Sequence, residues 1–408
     1  MNKYLKNNIS LILKIFLYLQ PVIDLLTGIM INYFNISITI GIIVRLLFLI
    51  FILYYYLIVK RKDKDINKIC YSFTVLIFLI ISSCLIIINK DISVLGFELS
   101  NILKIFYFPL LITLIDKDDL KITINDIVNV GIIYLSLIAI PNLFNISYNS
   151  YTQGKIGSVG LFNSGNEISA ILSIITPFII YYIFNKNNNY KKLLLIILMM
   201  YTYFTIGSKI IIVSLVLSLL FNIFLYLKNN KVEKNKILIS LLIIIILLIG
   251  GVYLLPKTNF YYNIKLHLDF LGINSFKDIF SFKFIDRFIF SDRLTYLSYT
   301  NNIYLNSSLF EKLFGIGFIN NYATDLVSIK VIEMDFFDVF YRVGILGFII
   351  FIIPLINIIQ KIFKEKNSLI IFTLILSLLI SFLVGHTLTA PSVSIILCFV
   401  LKYKRGKI

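Results

Sequence analysis

Along the chain, long apolar runs alternate with short polar ones, and most of the runs approach the roughly 20 residues that a helix needs to span a bilayer. Reading on that criterion predicts twelve helices, over 9–31, 36–59, 70–88, 98–115, 127–145, 166–184, 192–206, 208–227, 237–255, 336–360, 368–384 and 386–401. The seventh and the last two are short. The first lies where a signal peptide would, but Pro21 and Asp24 interrupt it and no small-residue cleavage site follows, so it reads as a retained first helix. One stretch breaks the rhythm. Residues 256–335 form a long polar and aromatic loop, which divides the chain into helices one to nine (1–255), the loop (256–335), and helices ten to twelve with a tail (336–408). The expected fold class is all-α, a polytopic membrane protein.

Composition agrees, since 59% of the residues are hydrophobic and only 14% charged, against about a quarter charged in soluble domains. The formal charge of +17 would suggest nucleic acid in a soluble protein. Here it has another cause. With the N-terminus placed inside, the inward-facing segments hold 23 Lys and Arg, against three (Lys90, Lys155 and Lys209) in the short outward loops. By the positive-inside rule both termini are then cytoplasmic, the 256–335 loop is external, and no nucleic acid is expected.

The cations that orientation does not explain are more informative. The chain carries 32 Lys and six Arg, so a retained Arg stands out. Lys14, Arg45, Lys104 and Arg342 lie within predicted spans, where insertion scales set the cost of a charge at about 2.5–3.5 kcal/mol and partners or wet cavities are expected. Eight further cations occupy the external loop. Within that loop, Asp286 to Tyr304 is predicted to form one amphipathic helix with Phe288, Leu294, Leu297 and Tyr304 near one face, and GIGF (Gly315 to Phe318) a flexible turn that ends it. Cys70, Cys84 and Cys398 fall in or beside apolar runs, so no disulfide framework or metal-binding pair is predicted.

Four segments of the late region follow in order: Arg287 and Arg293, the turn EKLFGIGF (Glu311 to Phe318), the acidic run EMDFFD (Glu333 to Asp338) and RVGILG (Arg342 to Gly347). Together they resemble the O-antigen ligase and polymerase superfamily, in which a large external loop carries an Arg-containing helix, an "fGvG"-like turn and a "GilG" opening of the next span. GLFNSGNEISAILSIITP (Gly160 to Pro177) and TIGSKIIIVSL (Thr205 to Leu215) are similar to two further segments of that family. FLYLQPVIDLLTGI (Phe16 to Ile29) is similar to its branch in low-GC Gram-positive bacteria. Ligases of the family place a His eleven residues before the "GilG" glycine, whereas this chain has Glu333 there.

The resemblance implies a GT-C-like membrane enzyme. It would transfer glycan with inversion at the outer face of the cytoplasmic membrane, from an undecaprenyl-diphosphate-linked donor to a glycan acceptor and without a nucleotide sugar; as the sequence shows no metal-binding cluster, metal-independent transfer without a cofactor is expected. The acidic residue in the ligase histidine position leans toward a polymerase of surface polysaccharide, with a chain-length regulator and a flippase as possible partners. Ligase-type transfer of a finished glycan is the first alternative. A lipid-linked oligosaccharide flippase is the second, although the two-half repeats common in transporters are absent by eye.

Chemistry selects candidates within that reading. A departing diphosphate needs permanently charged, multidentate donors, which the Arg fork supplies; the candidates are Arg287, Arg293, Arg342, Arg45 and Lys209. Each has a structural alternative: head-group anchoring for Arg287 and Arg293, an Asp338 ion pair for Arg342, and Asp24 or Glu98 as partner for Arg45. Deprotonating an acceptor hydroxyl needs a base, for which Glu333, Asp335 and Asp338 are the candidates, with helix capping as the alternative. Asn163, Asn166, Glu167 and His386 are candidates for binding sugar, while His267 lies in a weakly patterned stretch.

Overall fold

The computed structural model describes residues 2–36, 39–60, 66–90, 92–149, 157–185, 189–229, 261–262, 265–266, 281–319 and 330–403. The predicted span 237–255, His267, Arg61, Lys155 and Arg405 lie outside the described residues, as does the side chain of Phe288. The described chain is helical: α1 (Asn2–Asn32), α2 (Ile40–Tyr54, prolonged by a π-helical turn, Tyr55–Val59), α3 (Ile66–Asn89), α4 (Leu95–Leu114), α5 (Ile124–Leu143), α6 (Gly165–Asn185), α7 (Asn189–Ile206), α8 (Lys209–Asn229), α9 (Arg293–Asn306), α10 (Leu309–Phe314), α11 (Asp335–Glu365), α12 (Ser368–Leu383) and α13 (Pro391–Leu401). Among the described residues, eight helices are long and apolar enough to cross a membrane, namely α1 to α6, α8 and α11. The shorter or less apolar α7, α12 and α13 occupy the three positions that the sequence marks as short. The protein is an all-α polytopic membrane protein.

The chain forms two compact units. The first comprises Met1–Leu17, Ile42–Lys121 and Phe276–Ile408. Here α4 packs against α3, α11 and α13, and α12 against α11 and α13. The buried face of α4 runs through Ile102, Ile105, Phe106, Phe108, Leu110 and Leu111. At its C-terminal end, Lys402 Nζ donates to the Ile112 carbonyl at 2.5 Å and to that of Ile115, satisfying oxygens that the helix leaves open. Nearby, Lys60 meets Asp116 at 2.6 Å and Asp119 at 3.0 Å, and Lys68 also binds Asp116.

The second unit comprises Tyr18–Gly41 and Ile122–Ser275. In it, α6 packs against α5, α7 and α8 and is buried almost without interruption from Ile168 to Ile180. Lipid tails are as apolar as leucine, so helices in a membrane associate through small and hydrogen-bonding residues. Ser169, Ser173 and Thr176 on α6, and Ser214, Ser218 and Asn222 on α8, are all buried. Thr176 meets the Tyr203 hydroxyl at 2.5 Å, Asn222 donates to the Pro177 carbonyl at 3.3 Å, and the Tyr134 hydroxyl donates to Asp24 at 2.6 Å. Asp24, a charge inside a predicted span, is thereby supplied with a donor.

The late loop departs from expectation. The single helix predicted over Asp286–Tyr304 is broken: Ile285–Phe290 is a π-helical turn, Ser291 and Asp292 are left-handed, and α9 starts at Arg293. Asp286 explains the break, because its carboxylate turns back to accept from the amides of Leu294 (2.8 Å) and Thr295 (3.1 Å) and from the Thr295 hydroxyl (2.5 Å). It thus caps α9, a role the sequence alone did not suggest. The predicted apolar face survives in part, with Leu297 and Tyr304 packing against Ile316, Ile332, Met334 and Tyr341.

Candidate active site

Two glycine motifs meet in the first unit. Within α11, Gly344 has non-helical backbone (φ 68, ψ −174), which frees the carbonyls before it. The amides of Ile316 and Gly317 take them, donating to Tyr341 (3.0 Å) and Arg342 (3.2 Å). A Cβ added at Gly315, where φ is 99, would lie 2.0 Å from the Arg342 carbonyl oxygen; one at Gly344 would lie 2.4 Å from the Gly315 nitrogen. The turn therefore closes α10 and is pinned, rather than being the flexible end of the preceding helix. Gly315→Ala is expected to lower stability by about 3 kcal/mol or more, the upper end of single-substitution effects. Gly96→Ala, with open space around its Cβ, is expected to be near neutral. Thermal unfolding midpoints in detergent would compare the two.

A buried charge pair holds the same turn. Glu98, 0% exposed, accepts from the amides of Phe318 (2.9 Å) and Ile319 (2.9 Å) and from Lys90 Nζ (2.6 Å). Lys90 also donates to the carbonyls of Ile316 (3.0 Å) and Ile319 (2.9 Å). In the sequence Lys90 is one loop cation among others and Glu98 one candidate partner of Arg45, and no local pattern joins them into this clasp. The available signal was Glu98 itself, a carboxylate inside a span, which demands a cation nearby. A small cleft of about 40 Å3 opens beside the clasp, lined by Lys90, Glu98, Phe310, Glu311, Phe314 and Arg342 among others. Its charged lining is largely committed to the protein's own backbone.

Arg342 is part of this framework. It is 1% exposed, donates to the carbonyls of Gly317 (2.9 Å) and Lys330 (2.8 Å), and lies over the Phe318 ring. The predicted ion pair with Asp338 is present at 3.9 Å. Asp338 in turn accepts from the amides of Ile332 (3.0 Å), Glu333 (2.8 Å) and Met334 (3.2 Å), folding the chain into α11. Asp335 is equally committed. It accepts from the Ser381 hydroxyl (2.9 Å), the amides of His386 (2.9 Å), Thr387 (2.9 Å) and Leu388 (2.8 Å), and the Thr389 hydroxyl (2.6 Å). Five donors fill the roughly four lone-pair positions of a carboxylate.

Glu333 differs from these two acids. Its side chain is 39% exposed, while Arg293, 7% exposed, donates Nη2 to it at 2.7 Å. His386 Nε2 lies 3.8 Å from its other oxygen. Burial works against its charge, but His386 and Arg293 prevail and hold its pKa at about 2. The structure therefore joins Arg293, Glu333 and His386 directly, with Asp335, Asp338 and Arg342 behind them. Arg287 lies half-buried in the turn before α9, and Arg45 half-buried in α2, where its carbonyl accepts from Tyr107. Lys209, Asn163, Asn166 and Glu167 belong to the second unit. There the Ser164 hydroxyl accepts from the Glu167 amide at 3.3 Å and so caps α6, with Asn163 exposed beside it. Lys209 opens α8 after the left-handed Gly207. Among the described residues, no group of three or more His, Cys, Asp or Glu side chains is arranged to hold a metal ion.

Comparison with curated proteins gives no match. A family model described as "O-antigen ligase like membrane protein" matches residues 6–278 and 283–404, nearly the whole chain. The protein thus belongs to the O-antigen ligase like membrane protein family.

Proposed function

We propose that this protein extends a surface polysaccharide by glycosyl transfer from an undecaprenyl-diphosphate-linked donor at the outer face of the cytoplasmic membrane. Membership of the family supports glycan transfer in surface polysaccharide biosynthesis. The observation that carries the finer reading is the Arg293, Glu333 and His386 cluster, in which a partly exposed carboxylate stands between a guanidinium and an imidazole. Arg287 and Arg293 meet the leaving diphosphate, whose developing charge preorganised donors stabilise. Arg342 keeps the floor of the site in shape, and Asp335 and Asp338 fix the loops around it. The loop cation asymmetry supports an external site with both termini inside. A polymerase is favoured over a ligase because the ligase histidine position holds Glu333.

Deleting the gene in its host and analysing lipid-linked intermediates tests this reading. Single repeat units accumulating at the outer face are the expected result. Full-length lipid-linked polymer would indicate a ligase, and repeats trapped inside would indicate a flippase.

A further inference from the structure

Glu333 and His386 face each other with unusual backbone support. Both are non-glycine residues in left-handed conformation, at φ 63 and φ 58. Such geometry is strained and persists only where surrounding contacts impose it. Those contacts are visible. Asp338 binds the Glu333 amide, Asp335 binds the His386 amide, and a Cβ on Gly385 would lie 2.5 Å from the Glu333 carbonyl oxygen. Two separate chain segments, 332–334 and 385–389, are thus anchored so that the carboxylate and the imidazole meet.

We propose that His386 is the proton acceptor of the transfer reaction, with Glu333 stabilising its charged form and Asp335 acting as the positioning residue that holds its loop. This inference rests on the glycosyl-transfer reading. The acceptor O–H bond breaks as its oxygen bonds to the anomeric carbon of the donor. The bond from that carbon to the diphosphate oxygen breaks, and the electron pair departs with the lipid diphosphate. The proton goes to the imidazole and returns to water after release. Glu333 is already paired with the Arg293 guanidinium, whereas a neutral imidazole beside it has a ring nitrogen that can take a proton and a carboxylate that stabilises the resulting charge. The charged groups facing His386 are Glu333 from the segment before α11, Arg293 behind it from α9, and Asp335 from the first turn of α11. In the sequence His386 is a candidate for binding sugar; its contact with Glu333 assigns it to the reaction.

The test uses the full-length protein in liposomes with a lipid-diphosphate-linked glycan and its acceptor. His386→Gly, compatible with the left-handed backbone, is expected to slow release of lipid diphosphate by about 100-fold or more. Added imidazole is expected to restore about tenfold of that loss, a response that a sugar-binding or purely structural histidine would not give. Asp335→Asn is expected to lower kcat while leaving KM for the donor near the wild-type value. His386→Asn, which also tolerates left-handed backbone, guards against misfolding and is expected to show the same loss with donor binding retained. Wild-type rates in either His386 variant would overturn the proposal, as would a slow, donor-binding His386→Gly protein that imidazole does not rescue. A wild-type protein that releases no lipid diphosphate would instead overturn the underlying transfer reading.

Discussion

Replacing Glu98 by alanine is expected to destabilise the protein by about 3–5 kcal/mol, the usual consequence of breaking a buried ion pair from one side. The substitution strands the Lys90 ammonium, whose side chain is 6% exposed, and removes the acceptor for the Phe318 and Ile319 amides. Nothing apolar can replace either contact. The Lys90→Met, Glu98→Leu double variant is expected to recover part of the loss, since no unpaired charge remains, but not all of it, because the two amides stay unsatisfied. Unfolding midpoints in detergent for both single variants and the double variant give the coupling directly. If Glu98→Ala unfolded at the wild-type temperature, the turn would not depend on the clasp.

The second large effect concerns chemistry rather than stability. Arg293→Lys is expected to lower the rate of transfer by about 100-fold, the scale for losing one preorganised donor at a developing anion. Lysine keeps the positive charge but loses the planar fork. In the structure that fork is divided: Nη2 serves Glu333, Nη1 donates to the Phe290 carbonyl at 3.1 Å, and Nε is buried without a hydrogen-bond partner among the described residues. A lysine reaching Glu333 would leave the Phe290 carbonyl without its donor and lose the planar hold on the carboxylate. Steady-state release of lipid diphosphate by wild type and variant measures the effect, with KM changing less than kcat.

The helices were legible in the sequence because their cause is local. A run of apolar residues of spanning length has one outcome in a bilayer, whatever its neighbours do. The motif order in the late loop was also legible, and the structure supplies the reason for its glycines: Gly315 and Gly344 pack backbone on backbone, where any side chain would collide. What periodicity could not give was the destination of each polar side chain. Asp286 reads as one more polar position on a helix, yet it turns back to cap the next. Asp335, Asp338 and Glu333 are equivalent acids in a string of letters, and only the folded loops show that two of them are saturated by amides and hydroxyls. His386 gained its meaning the same way, since its partner lies more than 50 residues earlier in the chain. The Lys90 and Glu98 pair is the clearest omission, because their function is to hold a turn more than 200 residues away.

Polymerisation itself is measured by incubating the purified protein, reconstituted in liposomes, with a lipid-diphosphate-linked repeat unit as both donor and acceptor. Free lipid diphosphate is expected to appear in step with glycans of increasing length, with Arg293→Lys suppressing both together. A folded protein that left the donor intact, or carried it across the bilayer unchanged, would contradict this expectation.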